Sequence, residues 1–204
     1  LQGIYDRSLY YYQEAEKVYP KSLNSDFYGN ILNNIGLIYD KQKQYDNALR
    51  YYRDALKIRI ASGNKSRISS SYNNIGLLYQ GTKQLDSALY YHQKAMELRK
   101  EAGDLKAHGA SLNNIADIYL QQGKLNDALA AFNSALQLKE QSGDKRGESF
   151  SYLGIAETYN RMKNYTAAIE ARNKALEIAR ALDLREHLVN ILTTVSEAEE
   201  ALGN

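Results

Sequence analysis

The chain has 204 residues, 44% of them hydrophobic, and its 26 Lys and Arg residues nearly balance its 24 Asp and Glu residues. This composition is typical of a folded protein, and the lack of a basic excess argues against nucleic acid as the main partner. Because the chain has no cysteine, it has no disulfide, thiolate metal ligand or cysteine nucleophile, whereas both cytosol and periplasm stay open as compartments.

No segment approaches the roughly 18 consecutive apolar residues that are needed to cross a bilayer. The first residues also lack the charged segment followed by an apolar one that marks a secretion signal. We therefore predict no membrane contact by this segment, and we find no targeting sequence in it.

A 40-residue repeat runs through the sequence, since the motif Asn-Asn-Ile-Gly-Leu-Ile-Tyr at 33–39 returns in closely similar form at 73–79 and 113–119. Looser copies follow at 153–159 and around Thr193. Such a period indicates a repeat architecture in which each unit buries its apolar face against the next. We predict a single array with a half repeat at 1–24, full repeats at about 25–64, 65–104, 105–144 and 145–184, and a terminal helix at 185–204.

Each repeat contains two amphipathic patterns with the spacing of an α-helix. The first helix of a repeat, which we name helix A, has its apolar stripe in the first full repeat at Ile31, Leu32, Ile35, Ile38 and Tyr39. The second helix, helix B, has its stripe at Ala48, Leu49, Tyr52, Ala55 and Leu56. The sequence therefore predicts an all-α chain of helix pairs.

Polar residues recur where helix B is expected to start, and they predict its N-caps because their side chains can accept hydrogen bonds from free backbone N–H groups. This column consists of Asp6, Asp46, Asp86, Asn126 and Thr166.

Glycines recur where helix B is expected to end, at Gly63, Gly103 and Gly143, and predict left-handed C-terminal caps. Asn64, Asp104 and Asp144 follow them and are expected to start the next helix A. Asp183 interrupts the glycine column, so we expect the last turn to differ.

Three columns hold only small residues, and close contact between helices is the simplest explanation. They are Gly36, Gly76, Ala116, Ala156 and Ser196; Ser8, Ala48, Ala88, Ala128 and Ala168; and Ala15, Ala55, Ala95, Ala135 and Ala175. A glycine inside a helix costs about 1 kcal/mol relative to alanine, so Gly36 and Gly76 indicate that a neighbouring helix approaches closely.

The joint recurrence of Gly36, Tyr39, Ala48, Tyr52 and Ala55 resembles the tetratricopeptide repeat across essentially the whole chain. The departures are Leu32 in place of the frequent Trp, His92 and Arg172 in the aromatic column, and a longer period than the usual 34 residues. The sequence is most similar to the long-repeat subgroup found in spindle-orientation adaptors and in sensor regions of bacterial signalling proteins. The resemblance implies a right-handed α-α superhelical solenoid with helix A on its concave side.

By this resemblance, the concave groove binds an extended peptide through side chains of helix A. The expected groove residues are Asn30, Asn33, Asn34, Leu37, Asn73, Asn74, Leu77, Asn113, Asn114, Asp117, Glu157 and Arg161. A ladder of amides could bond the backbone of a peptide without reading its sequence. The alternative is that the second Asn of each pair bonds neighbouring groups and fixes the angle between repeats.

One column of the groove is acidic, with Asp117, Glu157 and Glu197, and favours a partner that carries a basic residue. A solvated helix face is the ordinary alternative. The ladder positions lack the Lys and Arg set that chaperone-binding members of the family use, so a terminal carboxylate is not the expected ligand.

No pattern in the sequence indicates catalysis, a metal site or a cofactor. His92, His108 and His187 lie in different repeats without a second ligand at metal-binding spacing, and we expect structural or surface roles for them. The chain has no nucleophile motif and no phosphate-binding loop. Most of its 18 tyrosines are expected to serve packing.

We therefore expect a non-enzymatic scaffold or sensor module that binds a protein or peptide and belongs to a larger signalling or regulatory protein. Neither end looks like a complete polar cap and residue 1 is not Met, so we expect the chain to be a piece of a longer protein. Two alternatives stay open. One is a structural array that self-associates as a homodimer through its end repeats, and the other is the regulatory part of an enzyme whose catalytic portion lies elsewhere.

Overall fold

The computed structural model describes residues 2–19 and 25–193, and these residues form ten α-helices and no strand. The helices are α1 (Gln2–Val18), α2 (Ser25–Lys41), α3 (Tyr45–Ser62), α4 (Lys65–Gly81), α5 (Leu85–Glu101), α6 (Leu105–Gln121), α7 (Leu125–Ser142), α8 (Lys145–Arg161), α9 (Tyr165–Ala181) and α10 (Arg185–Thr193). The predicted all-α class is confirmed. Within the predicted terminal helix at 185–204, only α10 falls among the described residues.

The chain divides into two compact units, and the boundary falls between Ala102 and Gly103. Unit 1 contains α1 to α5, and unit 2 contains α6 to α10. Each helix A packs on the helix B that follows it, α2 on α3 and α4 on α5 in unit 1, and α6 on α7 and α8 on α9 in unit 2. Because only three residues join the members of a pair, the two helices run antiparallel.

The predicted apolar stripes form the core of each unit. In unit 1, Tyr28 and Leu32 of α2 pack with Ala55 of α3. In unit 2, Ala116 and Leu120 of α6 pack with Phe132 of α7 and with α8 side chains. Removal of these side chains from water supplies the main driving force for stacking the helices.

The small residues of helix A make room for an aromatic ring of helix B. A Cβ atom at Gly36 would lie 2.7 Å from Cδ1 of Tyr52, and one at Gly76 would lie 2.8 Å from Cε1 of His92. Both distances are shorter than real Cβ contacts, so the glycines are required by the packing. Close helix contact at this column is therefore confirmed for its described members, whereas Ser196 lies outside the described residues.

The predicted N-cap column of helix B is wrong. The helices start earlier, with N-caps at Gln44, Gln84, Lys124 and Asn164, and only Asn164 caps through its side chain. Asp46, Asp86, Asn126 and Thr166 are instead the second residues of their helices, and Asp6 lies inside α1.

The turn before helix B explains this shift. The backbone N–H of Gln44 donates to the carbonyl of Tyr39 over 2.8 Å, while the carbonyl of Gln44 accepts from Ala48 over 3.0 Å. The turn itself therefore starts the helix at Tyr45. The carboxylate of Asp46 then lies in the first turn, where it interacts favourably with the helix dipole.

The turns between helix B and the next helix A are confirmed at all three predicted glycines, because Gly63, Gly103 and Gly143 have φ angles of 72°, 68° and 66°. The following Asn64, Asp104 and Asp144 cap helix A, and each side-chain oxygen accepts from the backbone N–H three residues later.

The expectation that the turn at Asp183 differs is wrong. Asp183 adopts the same left-handed conformation, with a φ of 49°. Aspartate tolerates this conformation better than most residues because its short polar side chain can bond locally.

The turns between helix A and helix B carry a strain that a substitution should relieve. Lys43, Lys83 and Lys163 have φ angles of 60°, 62° and 61°, whereas Gly123 occupies the equivalent position with 75°. We expect Lys83→Gly to raise the free energy of unfolding by roughly 0.5–1 kcal/mol, because a non-glycine residue pays for this conformation. The reverse change, Gly123→Lys, should lower it by about 1 kcal/mol. Urea denaturation measures both, and a loss of stability in Lys83→Gly would contradict the argument.

Candidate functional site

The helix A residues form one surface in each unit, which we name the helix A face. In unit 1 it consists of side chains of α2 and α4. Asn33 Oδ1 accepts from Asn74 Nδ2 over 2.9 Å, and Asn34 Nδ2 donates to Tyr12 Oη over 3.0 Å. The second Asn of both pairs in unit 1 is thus engaged inside the protein.

A buried arginine forms hydrogen bonds to polar side chains of the helix A face of unit 1. The guanidinium of Arg59, whose residue is 5% exposed, donates to Ser71 Oγ over 2.6 Å, to Asn30 Oδ1 over 2.9 Å and to Asn33 Oδ1 over 3.3 Å. Arg67 Nη1 also donates to Asn30 Oδ1, over 2.7 Å. The side-chain oxygens of Asn30 and Asn33 therefore already accept hydrogen bonds within the protein. The side chains of Leu37 and Leu77 are exposed on the same face.

The helix A face of unit 2 contains an open cavity of about 410 Å³. It is lined by Ala110, Asn113, Asn114, Asp117, Phe132, Lys139, Phe150, Leu153, Gly154, Glu157, His187 and Asn190. These residues come from α6, α7, α8 and α10. The volume lies within the range of roughly 300–1,000 Å³ that is typical of ligand pockets.

Three replacements at equivalent repeat positions distinguish the cavity from the closed face of unit 1. Two repeats after Asn30, Arg59 and Asn74, the sequence has Ala110, Lys139 and Gly154. Each replacement shortens or removes a side chain that bonds across the face of unit 1. In unit 2, Asn113 Oδ1 accepts instead from Ser151 Oγ over 3.0 Å.

Gly154 gives room to the ring of Phe132, which lines the cavity. A Cβ atom at Gly154 would overlap that ring. The buried aromatic residue of α7 therefore packs against α8 at the position where other repeats have the second Asn. Any side chain at this position would displace the ring.

Among the acids and the lysine that line the cavity, Asp117 is the residue without an ion pair in the part of the chain that the structure describes. Lys139 Nζ lies 3.7 Å from Asp144 Oδ2, and Arg161 Nη2 lies 3.1 Å from Glu157 Oε1. Among the described residues, Asp117 has no hydrogen bond or ion pair. Burial, together with the nearby charge of Glu157, raises the pKa of the Asp117 carboxyl from 3.8 to about 7.

The hydrogen bonds of His187 show that its ring is not arranged to act as a catalytic base. Its Nε2 lies 3.0 Å from Ser149 Oγ, and this hydroxyl donates to the carbonyl of Ala175 over 2.8 Å. The Nε2 therefore carries the proton, while Nδ1 is buried without a partner among the described residues. Burial lowers the pKa of His187, so the ring is neutral at pH 7.

This geometry does not form a nucleophilic pair, because the Ser149 proton points to a backbone carbonyl and the histidine proton points to Ser149. Within residues 2–19 and 25–193, no group of three potential metal-ligating side chains occurs. No helix in the same ranges is long and apolar enough to span a membrane.

The predicted groove residues fall on both faces. Asn30, Asn33, Asn34, Leu37, Asn73, Asn74 and Leu77 lie on α2 and α4, while Asn113, Asn114, Asp117 and Glu157 line the cavity and Arg161 is bonded to Glu157. The prediction missed Lys139, Phe132, Gly154 and His187. Comparison of repeat columns could have identified Lys139 and Gly154 as departures, whereas the aromatic wall and His187 depend on the packing of α10.

The helix pairs and the polar face define a helical-repeat protein of the interaction type. Models of the tetratricopeptide repeat match residues 1–61, 67–141 and 151–182. The chain belongs to the tetratricopeptide repeat family, a family of protein-interaction modules. No curated protein sequence matches the chain.

Solved structures share the fold at low sequence identity. A Signal Transduction ATPase with Numerous Domains with a tetratricopeptide repeat sensor, from Pyrococcus horikoshii, has a TM-score of 0.84 and 22% identity over 98% of this chain and 31% of its own. Aspartyl phosphate phosphatase F from Bacillus subtilis has a TM-score of 0.83 and 18% identity over 94% of this chain and 52% of its own. A Rap protein complexed with Competence and Sporulation Factor has a TM-score of 0.79 and 16% identity over 99% of this chain and 60% of its own. The chain thus spans less than two thirds of each of these proteins.

Proposed function

We propose that this chain is a peptide-binding sensor or scaffold module. Its ligand lies on the helix A face of unit 2 and is anchored in the cavity there. The observation that carries the proposal is the cavity itself, which is concave and partly apolar and contains the carboxyl of Asp117, a group without an ion pair among the described residues. Pockets of this composition are the usual ligand sites of proteins.

The amide side chains beside the cavity suit the backbone of an extended peptide. Asn113 and Asn114 lie next to each other on α6, and an amide offers both donors and an acceptor. The Oδ1 of Asn113 is occupied by Ser151, so its Nδ2 donors are the groups that would meet a peptide carbonyl. The apolar side chains of Leu153 and Phe150 provide surface for the peptide side chains.

The similar structures support a signalling role. One of them is described as a tetratricopeptide repeat sensor, and another is described as a complex with Competence and Sporulation Factor. The chain covers only part of each of these proteins, so we propose that it also acts as the sensing part of a larger signalling protein, with the effector function elsewhere.

Selection from a random peptide display library tests this function. We expect the unmodified chain to enrich peptides and an Asn113→Ala variant to bind them at least about fivefold more weakly, because about 1 kcal/mol is lost with each peptide hydrogen bond. Asn133→Ala, on the exposed side of α7, is the matched control and should bind as the unmodified chain does. Circular dichroism checks that all three remain helical. Failure to enrich any peptide would contradict the proposal, as would equal binding by both variants.

A further inference from the structure

We propose that the cavity of unit 2 binds the guanidinium group of an arginine side chain in the peptide ligand. This inference rests on the function proposed above and specifies which ligand chemistry the site recognises. It is carried by two observations, namely the carboxyl group of Asp117, which has no ion pair among the described residues, and the aromatic side chains that line the cavity.

Two acids, Asp117 and Glu157, and one lysine, Lys139, line the cavity. Lys139 is already paired with Asp144, and Glu157 is already paired with Arg161, so the carboxyl of Asp117 is the group that lacks a counterion among the described residues. A cation in the cavity would lie near both Asp117 and Glu157. An anionic ligand group would be repelled by the same two carboxylates.

The carboxylate of Asp117 offers a ligand two acceptor oxygens in one plane. His187 is 5% exposed, and its Nδ1 is an acceptor without a partner among the described residues. This nitrogen is not accessible to solvent, so the acceptors that the cavity itself presents are the two oxygens of Asp117. A guanidinium has five N–H donors in a fixed plane and can bond a carboxylate in a bidentate manner, whereas an ammonium has three donors at a point.

Part of the cavity lining is aromatic or apolar, and Arg146 Cζ of the chain itself lies 5.9 Å from the centroid of the Phe150 ring. Phe150 stacks on His187 with ring centroids 3.9 Å apart, and Phe132 and Leu153 line the cavity as well. Aromatic faces stack favourably on a guanidinium, and apolar surface packs on the methylene stem of an arginine. The edge of the wall is open to solvent at Phe150, which is 41% exposed and leaves a path for a peptide backbone outside.

Binding of this cation should depend on pH, because Asp117 must be ionised to form the pair. The titratable groups that line the cavity with it are Glu157 of α8, Lys139 of α7 and His187 of α10, and the charge of Arg146 of α8 acts on His187. Burial and Glu157 raise the pKa of Asp117 to about 7, so affinity should increase as the pH rises through that value. Burial lowers the pKa values of Lys139 and His187, so His187 stays neutral and does not reverse the trend.

A matched pair of peptides tests the inference. The probe is an arginine-containing peptide from the library selection, and its partner has citrulline, a neutral isostere, at the same position. We expect the citrulline peptide to bind the unmodified chain about tenfold or more weakly at pH 8, since charge-assisted hydrogen bonds are lost. In Asp117→Asn the two peptides should bind alike, whereas Asp127→Asn, an exposed acid on α7, should retain the full difference.

The outcomes separate this inference from the proposed function. Selected peptides without arginine, a citrulline effect that persists in Asp117→Asn, or equal binding of lysine and arginine peptides would each overturn the inference and leave the peptide-binding function standing. If the library yields no peptide, the proposed function fails. The cavity is then tested alone with N-acetylarginine amide and N-acetylcitrulline amide at millimolar concentration, and only an Asp117-dependent thermal shift by the arginine compound would support the inference.

Discussion

Replacement of Asp117 by asparagine should make the protein more stable at pH 8 and at the same time weaken its binding of arginine-containing peptides. The pKa of Asp117 is raised from 3.8 to about 7, so the folded state holds its proton more tightly than the unfolded state. This stabilisation is fully present below about pH 3.8 and is lost as the pH rises through about 7. Asparagine cannot ionise, so the variant does not lose stability as the pH rises.

The expected gain is large for a single substitution. A rise of the Asp117 pKa from 3.8 to about 7 sets an upper limit of about 4 kcal/mol, and we expect roughly 2 kcal/mol because solvent enters an open cavity. The free energy of unfolding is measured by urea denaturation from pH 5 to pH 8 for both proteins.

The shape of the pH profile shows whether burial of the Asp117 charge causes the difference in stability. The difference between Asp117→Asn and the unmodified chain should grow with pH and level off above pH 7, whereas Asp127→Asn should change stability by less than about 0.5 kcal/mol throughout. A difference that is constant across the pH range would show that the carboxyl is not destabilised by its surroundings. A residue that reduces stability and improves binding is common at functional sites.

Addition of one methyl group at Gly154 should close the cavity. The Cβ atom of Gly154→Ala would overlap the ring of Phe132, which is almost fully buried, so the ring would have to shift into the cavity that it lines. We expect a loss of about 2–3 kcal/mol in the free energy of unfolding, as is usual for overpacked cores, together with loss of peptide binding.

A second glycine and a second substitution provide the controls. Gly81 ends α4, and a Cβ atom there would meet nothing within 4 Å, so Gly81→Ala should be neutral or stabilise by up to about 1 kcal/mol. Phe132→Leu should recover part of the loss in the double variant. If the effects of Gly154→Ala and Phe132→Leu were additive, the proposed contact between them would not exist.

The helices, and the turns between helix B and the next helix A, could be predicted because their causes are local. The apolar spacing of residues such as Ile35 and Tyr52 defines the buried faces, and glycines such as Gly63 mark the turns that need a left-handed residue. The start of helix B was predicted two residues too late because Lys43 and its equivalents adopt a left-handed conformation without glycine. A lysine in the sequence does not by itself indicate a left-handed turn.

The candidate site was predicted only in part. Helical periodicity places Asn113, Asp117 and Glu157 on one face, as the structure shows, but periodicity does not reveal a cavity. The cavity arises where the longer side chains of equivalent positions are missing, at Ala110 and Gly154, and where four helices meet. The raised pKa of Asp117 follows from this burial and could not be read from the sequence.

The two units show how one repeat framework can give two kinds of surface. Arg59 and Asn74 close the face of unit 1 with internal hydrogen bonds, whereas Lys139 and Gly154 leave the face of unit 2 open. The alanine columns of helix B are kept in both units, so the packing of the helix pairs does not depend on this difference. Variation at a few groove positions can therefore create a binding site at little structural cost.

Photocrosslinking tests the location of the ligand most directly. We would place p-benzoylphenylalanine at Phe150, on the rim of the cavity, or at Asn133, on the exposed side of α7, and irradiate each protein with a peptide from the selection. The account predicts a crosslinked peptide from the position of Phe150 that disappears in the Asp117→Asn background, and none from the position of Asn133. Equal crosslinking at both positions, or crosslinking at Asn133 alone, would contradict a ligand site on the helix A face of unit 2.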